Sequence, residues 1–382
     1  MSSNANEISL YFHIPFCSRK CDYCHFFVLP DKDPLKKQLL EGLEKEWAMR
    51  LPILAGKKLV SVYFGGGTPT LWGPDPIATV MRWIRNSPLI LDSNMEVTIE
   101  ANPDKLTAEL AARYADCGIN RMSIGVQSLD DRHLLTLSRE HNAAAAVAAV
   151  NNAYSAGISN ISIDLMYDLP GQSLQSWNRT LQQAVKLPIT HLSLYNLTIE
   201  PHTVFFKKQN ELKKTIPNED TSLEMYEGAI SAFAEHGLKQ YEISAFARDD
   251  KISRHNCGYW LARPFLGFGP SAFSYWEGSR FSNVSHLGNY CKALEAGKLP
   301  VDFEETLSDE RHRRELLVVQ IRLVSGVNLT TFQALHGPLD QETLTTIERL
   351  GSIDLLASAP DSSISLTRRG ILLYNSVAAE LV

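Results

Sequence analysis

Short apolar, β-branched runs alternate with amphipathic stretches through the first two thirds of the chain. The runs predict buried strands, and the amphipathic stretches predict helices. The predicted strands cover residues 8–14, 59–64, 95–101, 121–126, 161–166 and 191–197, with a seventh at 240–246. The predicted helices between them cover residues 34–50, 76–85, 107–117, 131–137, 142–156 and 174–187. Because parallel neighbours need crossover connections, this alternation predicts an α/β fold with a partial, TIM-like (β/α)6 barrel.

The pattern changes near residue 249, where aromatic and glycine-rich sequence begins. Residues 258–281 predict irregular structure or short antiparallel strands. From Ser308 onward, two or three helices, a strand at 363–367 and a final helix from Arg369 predict a small α/β module of winged-helix-like type. We therefore expect a barrel, an extension and a C-terminal module, over residues 1–248, 249–300 and 301–382.

Composition and charge narrow the functional classes. The 382 residues include 37 Lys and Arg against 43 Asp and Glu, a net charge of −6, which argues against a broad basic nucleic-acid surface. We therefore expect no nucleic-acid partner, and a packing role for the C-terminal module. Apolar runs fall short of the roughly 20 residues that a spanning helix needs. The residues after Met1 carry neither a basic nor an apolar leader, so we expect a cytoplasmic protein.

Three of the six cysteines, Cys17, Cys21 and Cys24, fall within eight residues, directly after the first predicted strand. In a reducing compartment such a group indicates a metal or redox site rather than a disulfide framework. Three thiolates on one tight loop can hold three irons of a [4Fe–4S] cluster and leave the fourth iron open. A three-cysteine zinc site completed by His13 or His25 is the alternative reading.

Further polar and glycine positions follow the ends of successive predicted strands, where parallel α/β barrels keep their active sites. They are the glycine-rich turn 65–70, Glu100, Gln127, Arg139 and Asp164. Glycines let the backbone approach a ligand, and a carboxylate accepts hydrogen bonds from an ammonium or a ribose. A guanidinium binds a carboxylate through two parallel hydrogen bonds. Together these positions predict a binding site for a small polar ligand at one face of the barrel.

The cysteine spacing and the motifs at residues 11–17, 65–70, 124–128 and 164–171 resemble those of the radical S-adenosylmethionine (SAM) family. Within it, the chain is similar to the coproporphyrinogen dehydrogenase (HemN) and HemW-type group along nearly its whole length. The resemblance implies a radical SAM barrel, a HemN-type C-terminal module and a [4Fe–4S] cluster on the three cysteines. The open iron would chelate SAM, and one electron from the cluster would cleave the sulfonium to a 5′-deoxyadenosyl radical. An electron donor would be a partner of the protein.

The same resemblance assigns residues to SAM, at positions that match the family motifs. These residues are Tyr11, Tyr23, Gly66, Gly67, Thr68, Glu100, Gln127, Arg139 and Asp164. Tyr23, between the second and third cysteines, would lie beside the adenine. The resemblance assigns no catalytic residue and makes a homodimer plausible.

Two further positions bear on the branch of the family. Phe26 stands where the dehydrogenase carries a fourth cysteine, and a His-Asn-x-x-Tyr-Trp motif of HemW type begins at His255. Imidazole is a good axial ligand for haem iron, and aromatic rings pack on porphyrin faces. The haem-binding residues implied by the motif are His255, Asn256, Tyr259 and Trp260. Phe273 replaces a histidine that is common in the family, so ligation here can differ.

The resemblance therefore implies a haem chaperone that binds haem, a [4Fe–4S] cluster and SAM, and that delivers haem to a respiratory or membrane acceptor. The alternative is an oxygen-independent coproporphyrinogen III dehydrogenase that makes protoporphyrinogen IX. Radical modification of RNA is a third reading, and the acidic balance of the chain argues against it.

Overall fold

Six parallel strands in chain order form the barrel predicted from the sequence. The computed structural model describes residues 6–382, so residues 1–5, on which the expected lack of a leader rests, lie outside it. Each strand pairs in parallel with the next, which confirms the predicted α/β fold with a partial (β/α)6 barrel. The strands are β1 (Glu7–Ile14), β2 (Lys58–Gly66), β3 (Ile90–Ala101), β4 (Arg121–Gln127), β5 (Asn160–Tyr167) and β6 (His191–Asn196).

Helices connect the strands and cover the outer face of the sheet. Those of the barrel are α1 (Asp33–Leu54), α2 (Pro74–Arg85), α3 (Ala108–Cys117), α4 (Asp131–Thr136), α5 (Ala143–Ser155), α6 (Leu174–Ala184) and α7 (Glu219–Glu235). Two short helical turns, Val204–Lys207 and Gln209–Leu212, precede α7. None of the helices described combines the length and apolar character needed to cross a bilayer.

The predicted seventh strand at 240–246 is wrong as a single parallel strand. The segment instead forms an antiparallel pair, β7 (Lys239–Glu242) and β8 (Ala245–Ala247), and β8 pairs antiparallel with β6. A hairpin forms because the connection between the two strands is too short for the crossover that a parallel neighbour requires.

The extension adds strands to the opposite edge of the sheet. The helix α8 (Arg254–Trp260) carries the His-Asn-x-x-Tyr-Trp motif and leads into β9 (Phe265–Phe268), which pairs in parallel with β1. The next strands, β10 (Phe273–Trp276), β11 (Ser279–Asn283) and β12 (Val301–Thr306), continue the sheet antiparallel, and α9 (Leu287–Glu295) lies between the last two. The main sheet thus extends six residues past the boundary predicted at residue 300, and the three-part division stays a prediction.

The C-terminal module has its own apolar core and a three-stranded antiparallel sheet. Its strands are β13 (Val327–Asn328), β14 (Leu356–Ser358) and β15 (Ser363–Leu366). Its helices are α10 (Asp309–Gln320), α11 (Leu329–His336), α12 (Gln341–Ser352), α13 (Arg368–Leu372) and α14 (Tyr374–Leu381). Helices combined with a small sheet match the winged-helix-like pattern predicted from the sequence.

A buried carboxylate joins α1 to the extension. Glu46 accepts hydrogen bonds from Arg50 at 2.9 Å, Asn283 at 2.8 Å, Tyr290 at 2.7 Å and the Gly269 amide at 2.9 Å. These four hydrogen bonds to the carboxylate oxygens of Glu46 offset the free-energy cost of removing its negative charge from water. The contact fixes the helix that follows the cysteine loop against the strands beyond β1.

Candidate functional site

A cavity of about 400 Å³ lies at the carboxyl ends of the parallel strands, and we call it the barrel cavity. Its walls include the three cysteines of the loop and eight of the nine residues that the sequence assigned to SAM. Those eight are Tyr23, Gly66, Gly67, Thr68, Glu100, Gln127, Arg139 and Asp164. Parallel strands bring these positions together because their carboxyl ends meet at the same face of the sheet.

The cysteine loop packs closely against the glycine-rich turn. The Gly67 amide donates to the Ile14 carbonyl at 3.0 Å, and the Thr68 amide donates to the Phe16 carbonyl at 2.7 Å. A Cβ on Gly67 would lie 2.7 Å from the Phe16 oxygen, and a Cβ on Gly66 would lie 2.6 Å from the ring of His13. These two glycines therefore serve the packing of the loop as well as the approach of a ligand.

All three loop cysteines are free thiols of intermediate exposure that face the barrel cavity. Cys17 Sγ lies 3.7 Å from the Thr68 hydroxyl, and Arg139 Nη1 lies 3.6 Å from Cys21 Sγ. Burial raises the pKa of Cys17 to about 11 and also raises that of Cys24, so a bound cation is needed to hold them as thiolates. Three thiols beside a guanidinium fit a thiolate-bound iron–sulfur cluster.

A single-ion zinc site finds no support in the part of the chain that the structure describes. No group of three or more His, Cys, Asp or Glu side chains there is close enough to hold one metal ion. His13 hydrogen-bonds the Tyr11 hydroxyl through Nδ1 at 2.9 Å, and burial lowers its pKa to about 4.

Two carboxyl groups line the floor of the barrel cavity. Glu100 accepts hydrogen bonds from the Tyr63 hydroxyl at 2.8 Å and from the Gly66 amide at 3.0 Å. Burial raises the pKa of Glu100 to about 7 and that of Asp164 to about 6, and the Asp164 charge contributes to the shift at Glu100. Both groups therefore titrate close to neutral pH, where a cationic or hydroxyl-bearing ligand changes their protonation.

Arg139 lies between the cysteine loop and the carboxyl end of β4. Its Nη2 donates to Asn102 Oδ1 at 2.7 Å and to the Gly125 carbonyl at 2.8 Å, and its buried Nε has no hydrogen-bond partner among residues 6–382. Arg139 was expected to bind a ligand carboxylate through two parallel hydrogen bonds, and protein oxygens already accept hydrogen bonds from its Nη2. A Cβ on Gly125 would lie 3.0 Å from the side-chain Nε2 of Gln127 and 3.5 Å from Nη2 of Arg139. A glycine at this position therefore leaves room for both side chains.

Tyr11 is the one SAM-assigned residue that does not line the barrel cavity. Its ring stacks on that of Tyr63, with centroids 6.1 Å apart, and its hydroxyl meets His13. Tyr63 and Asn102 were not among the residues predicted for the site. Strand alternation is the signal that could have found Tyr63, because Ser61, Tyr63 and Gly65 share one face of β2.

The histidine of the motif that begins at His255 is buried, whereas Asn256, Tyr259 and Trp260 are partly exposed. The His255 ring is 1% exposed, its Nδ1 meets the Ser61 hydroxyl at 2.9 Å, and its Nε2 meets the Tyr259 hydroxyl at 2.8 Å. Burial lowers its pKa to about 3. The indole of Trp260 packs against the Arg322 guanidinium, 4.4 Å from the ring centroid. Haem ligation by His255 stays a prediction, and it requires that the hydrogen bond of the ligating ring nitrogen, to Ser61 or to Tyr259, breaks.

Ser253 caps the same helix, because its hydroxyl accepts a hydrogen bond from the backbone amide of Asn256 at 3.3 Å. Cys257, next to Asn256, is buried and lines a second cavity of about 770 Å³. This lateral cavity lies between the β7–β8 hairpin, α8 and the C-terminal module, and its wall includes Phe332 and His336. The motif therefore reaches an open volume through its cysteine rather than its histidine.

Three comparisons with known proteins indicate the class of protein to which this fold and cavity belong. Residues 11–184 match the model of the radical SAM superfamily. A haem chaperone HemW of Bacillus subtilis is 33% identical over 371 residues, which span 97% of both chains. A HemW of Mycobacterium tuberculosis is 31% identical over 98% of this chain and 94% of that one. The crystal structure of Escherichia coli HemN, described as a radical SAM enzyme, superposes with a TM-score of 0.85 at 23% identity, over 98% of this chain and 89% of that one.

A partial (β/α)6 barrel with a three-cysteine loop at its carboxyl face, together with the family match, defines a radical SAM protein. Such proteins carry a [4Fe–4S] cluster and SAM, and the thiols and carboxyl groups of the barrel cavity fit both. Sequence identity of 31–33% to HemW proteins along almost the full length narrows the class further. The chain belongs to the HemW-type group of the radical SAM superfamily.

Proposed function

We propose that the protein is a haem chaperone, which binds haem and passes it to an acceptor such as a respiratory cytochrome or another membrane protein. The observation that carries the proposal is the likeness to proteins named haem chaperones over 97% of both chains. Phe26 supports it, because this side chain is 55% exposed at the mouth of the barrel cavity, where the dehydrogenase has a fourth cysteine.

In this proposal Cys17, Cys21 and Cys24 hold the cluster, and the barrel cavity holds SAM beside it. When bound, the cluster supplies one electron to the sulfonium of SAM. Arg139 stabilises the thiolate of Cys21 through its charge, because the two groups are 3.6 Å apart. Glu100 and Asp164 accept hydrogen bonds from the ammonium or ribose of SAM once they are ionised. An external electron donor, in a cytoplasmic setting, completes the system.

The haem would bind near the motif formed by His255, Asn256, Tyr259 and Trp260. One route is ligation by one ring nitrogen of His255 after its hydrogen bond to Ser61 or to Tyr259 opens. A second route uses Cys257, whose thiol lines the lateral cavity together with His336. That route leaves the buried histidine in place, and a cavity of about 770 Å³ is large enough for a cofactor-sized ligand.

Haem titration of the purified protein tests the proposal. We expect a shifted Soret band with saturable, one-to-one binding in the wild type. Loss of the shift in His255→Ala would support histidine ligation, and loss in Cys257→Ser would support the lateral cavity. Cys291→Ser is the matched control, because this thiol is also buried but lies on α9, away from both cavities. An unshifted Soret band in the wild type contradicts the chaperone proposal. Sedimentation of the same samples tests the expected homodimer.

The second candidate is the oxygen-independent coproporphyrinogen III dehydrogenase. Superposition on HemN along 98% of the chain favours it as far as the fold is concerned. Anaerobic turnover with coproporphyrinogen III, SAM and a reductant separates the two. Loss of propionate carboxyl groups in step with SAM consumption would favour the dehydrogenase, whereas an intact porphyrinogen would favour the chaperone.

A further inference from the structure

Two exposed segments meet at the mouth of the barrel cavity. One is the cysteine loop, residues 17–28, and the other is the helical segment 203–214 that follows β6. The Phe205 amide donates to the Asp22 carbonyl at 3.0 Å, and the rings of Tyr23 and Phe205 lie 6.4 Å apart. The helical segment is thus fixed on the loop that carries the three cysteines.

Exposed cations gather on these segments. We call them the basic collar, which comprises Arg19, Lys20, Lys207, Lys208, Lys213 and Lys214. Within the described chain none of the six forms a salt bridge, although Lys20 donates to a backbone carbonyl. The acids of the two segments are Asp22 and Glu211. Six positive and two negative side chains give the two segments a net charge of +4 in a chain of net charge −6. Two acids outside the segments, Glu140 on the Ser18 hydroxyl and Glu200 in the cavity wall, lower the local excess to +2.

Two phenylalanines stand among these cations. Phe26 of the cysteine loop is 55% exposed, and Phe206 of the helical segment is 39% exposed. Aromatic residues are enriched at the centres of protein interfaces, and charged groups at the rim steer the encounter, so the two phenylalanines would supply the contact and the cations the steering. Arg19, Lys20 and Phe26 also line the barrel cavity, so the collar borders the cluster site itself.

We propose that the basic collar is the docking surface for an acidic one-electron donor protein. The inference rests on the proposed function, because it takes the three cysteines to hold a [4Fe–4S] cluster. The donor, a reduced flavoprotein or iron–sulfur protein, loses one electron and the cluster gains it, with no bond formed and no proton transferred. Opposite charges steer the encounter, and a small aromatic contact suits a complex that must dissociate after each transfer.

Charge reversal on the collar tests this docking surface. The variant Lys207→Glu/Lys208→Glu changes the local charge by −4 and touches no cysteine or SAM-assigned residue. Lys292→Glu/Lys298→Glu is the matched control, because these lysines are also exposed and outside any salt bridge, on and just after α9. Stopped-flow absorbance follows cluster reduction by reduced flavodoxin and by reduced plant-type ferredoxin, and calorimetry measures binding of each oxidised donor at low salt.

We expect the collar variant to lose tenfold or more of the donor-driven rate and of the binding affinity. The wild-type rate should fall with added salt, and the variant should show a weaker dependence. The extent of reduction by excess dithionite, read at its end point because dithionite is itself an anion, should stay equal in wild type, variant and control. Wild-type rates in the collar variant, or failure of both donors to show salt-dependent reduction, overturn the proposal.

An anionic membrane is the other surface that basic and aromatic residues can meet. Co-flotation with phosphatidylglycerol vesicles that is lost in the collar variant, while its donor rate stays at the wild-type value, overturns the proposal in favour of a membrane. Haem titration of the same variants keeps the two proposals apart. An unshifted Soret band removes the chaperone proposal, and the donor measurements still decide the docking surface.

Discussion

Substitution of Gly67 by alanine tests whether the glycine-rich turn holds the cysteine loop in place. The new Cβ would lie 2.7 Å from the Phe16 oxygen and from the carbonyl carbon of Pro15, whereas ordinary contacts are 3.4–4 Å. Backbone on one side must therefore move by roughly 0.7 Å, which lengthens the hydrogen bonds that join turn and loop. The φ of Gly67 is outside the left-handed region, so steric contact alone sets the cost.

Overpacking of this kind costs about 1–3 kcal/mol of unfolding free energy. Gly228→Ala is the control, because nothing lies within 4 Å of its Cβ and it stands inside helix α7. There alanine should stabilise by about 0.5–1 kcal/mol through its higher helix propensity. Urea unfolding followed by tryptophan fluorescence should move the two midpoints in opposite directions, and iron content after reconstitution should fall only in Gly67→Ala. Unchanged stability and full iron loading in Gly67→Ala would refute the reasoning.

Three other predictions concern the site and its support. Calorimetry should show SAM affinity falling up to about tenfold from pH 8 to pH 6, because burial raises the pKa of Glu100 to about 7 and protonation removes an acceptor. Tyr63→Phe should shift this transition to higher pH, since its hydroxyl lowers the pKa of Glu100, and Glu100→Gln should weaken binding and flatten the profile. Glu46→Ala should cost about 3–5 kcal/mol in urea unfolding, because it leaves a buried guanidinium unpaired; a loss below 1 kcal/mol would contradict the role of this carboxylate. Cys24→Ser should reduce iron content after reconstitution, whereas Cys291→Ser should match the wild type.

The barrel could be predicted from the sequence because each strand carries its own apolar run and each crossover its own helix. The carboxyl-face positions followed from that order alone, since Glu100 on β3 and Asp164 on β5 lie in the carboxyl-terminal halves of strands that flank β4 in a parallel sheet. The hairpin β7–β8 was missed because a local apolar run does not encode the direction of its partner. The direction of pairing depends on the length of the connection between two strands. Tertiary contacts decide where each strand ends, and therefore how long that connection is.

The surroundings of His255 show a second limit of sequence reasoning. A histidine beside aromatic residues is compatible with metal ligation and with structural hydrogen bonding, and its sequence neighbours are the same in both cases. Of the two hydrogen-bond partners of the ring, Tyr259 is four positions away on the same helix, but Ser61 lies on β2, 194 positions away, and could not be foreseen. Likewise, the packing role of Gly66 and Gly67 depends on His13 and Phe16, which only the folded chain brings within contact.

The pairing of β1 with β9 has a consequence for biosynthesis. Ser9 through Phe12 pair with residues 265–268, so one edge of the first strand has no partner until more than two thirds of the chain has been made. Contacts of such high sequence separation form slowly and leave an unpaired strand edge exposed. The cysteine loop begins at the end of that strand, so it gains its final support late in synthesis. Cluster insertion is therefore expected to follow completion of β9 and not to accompany emergence of the cysteines from the ribosome.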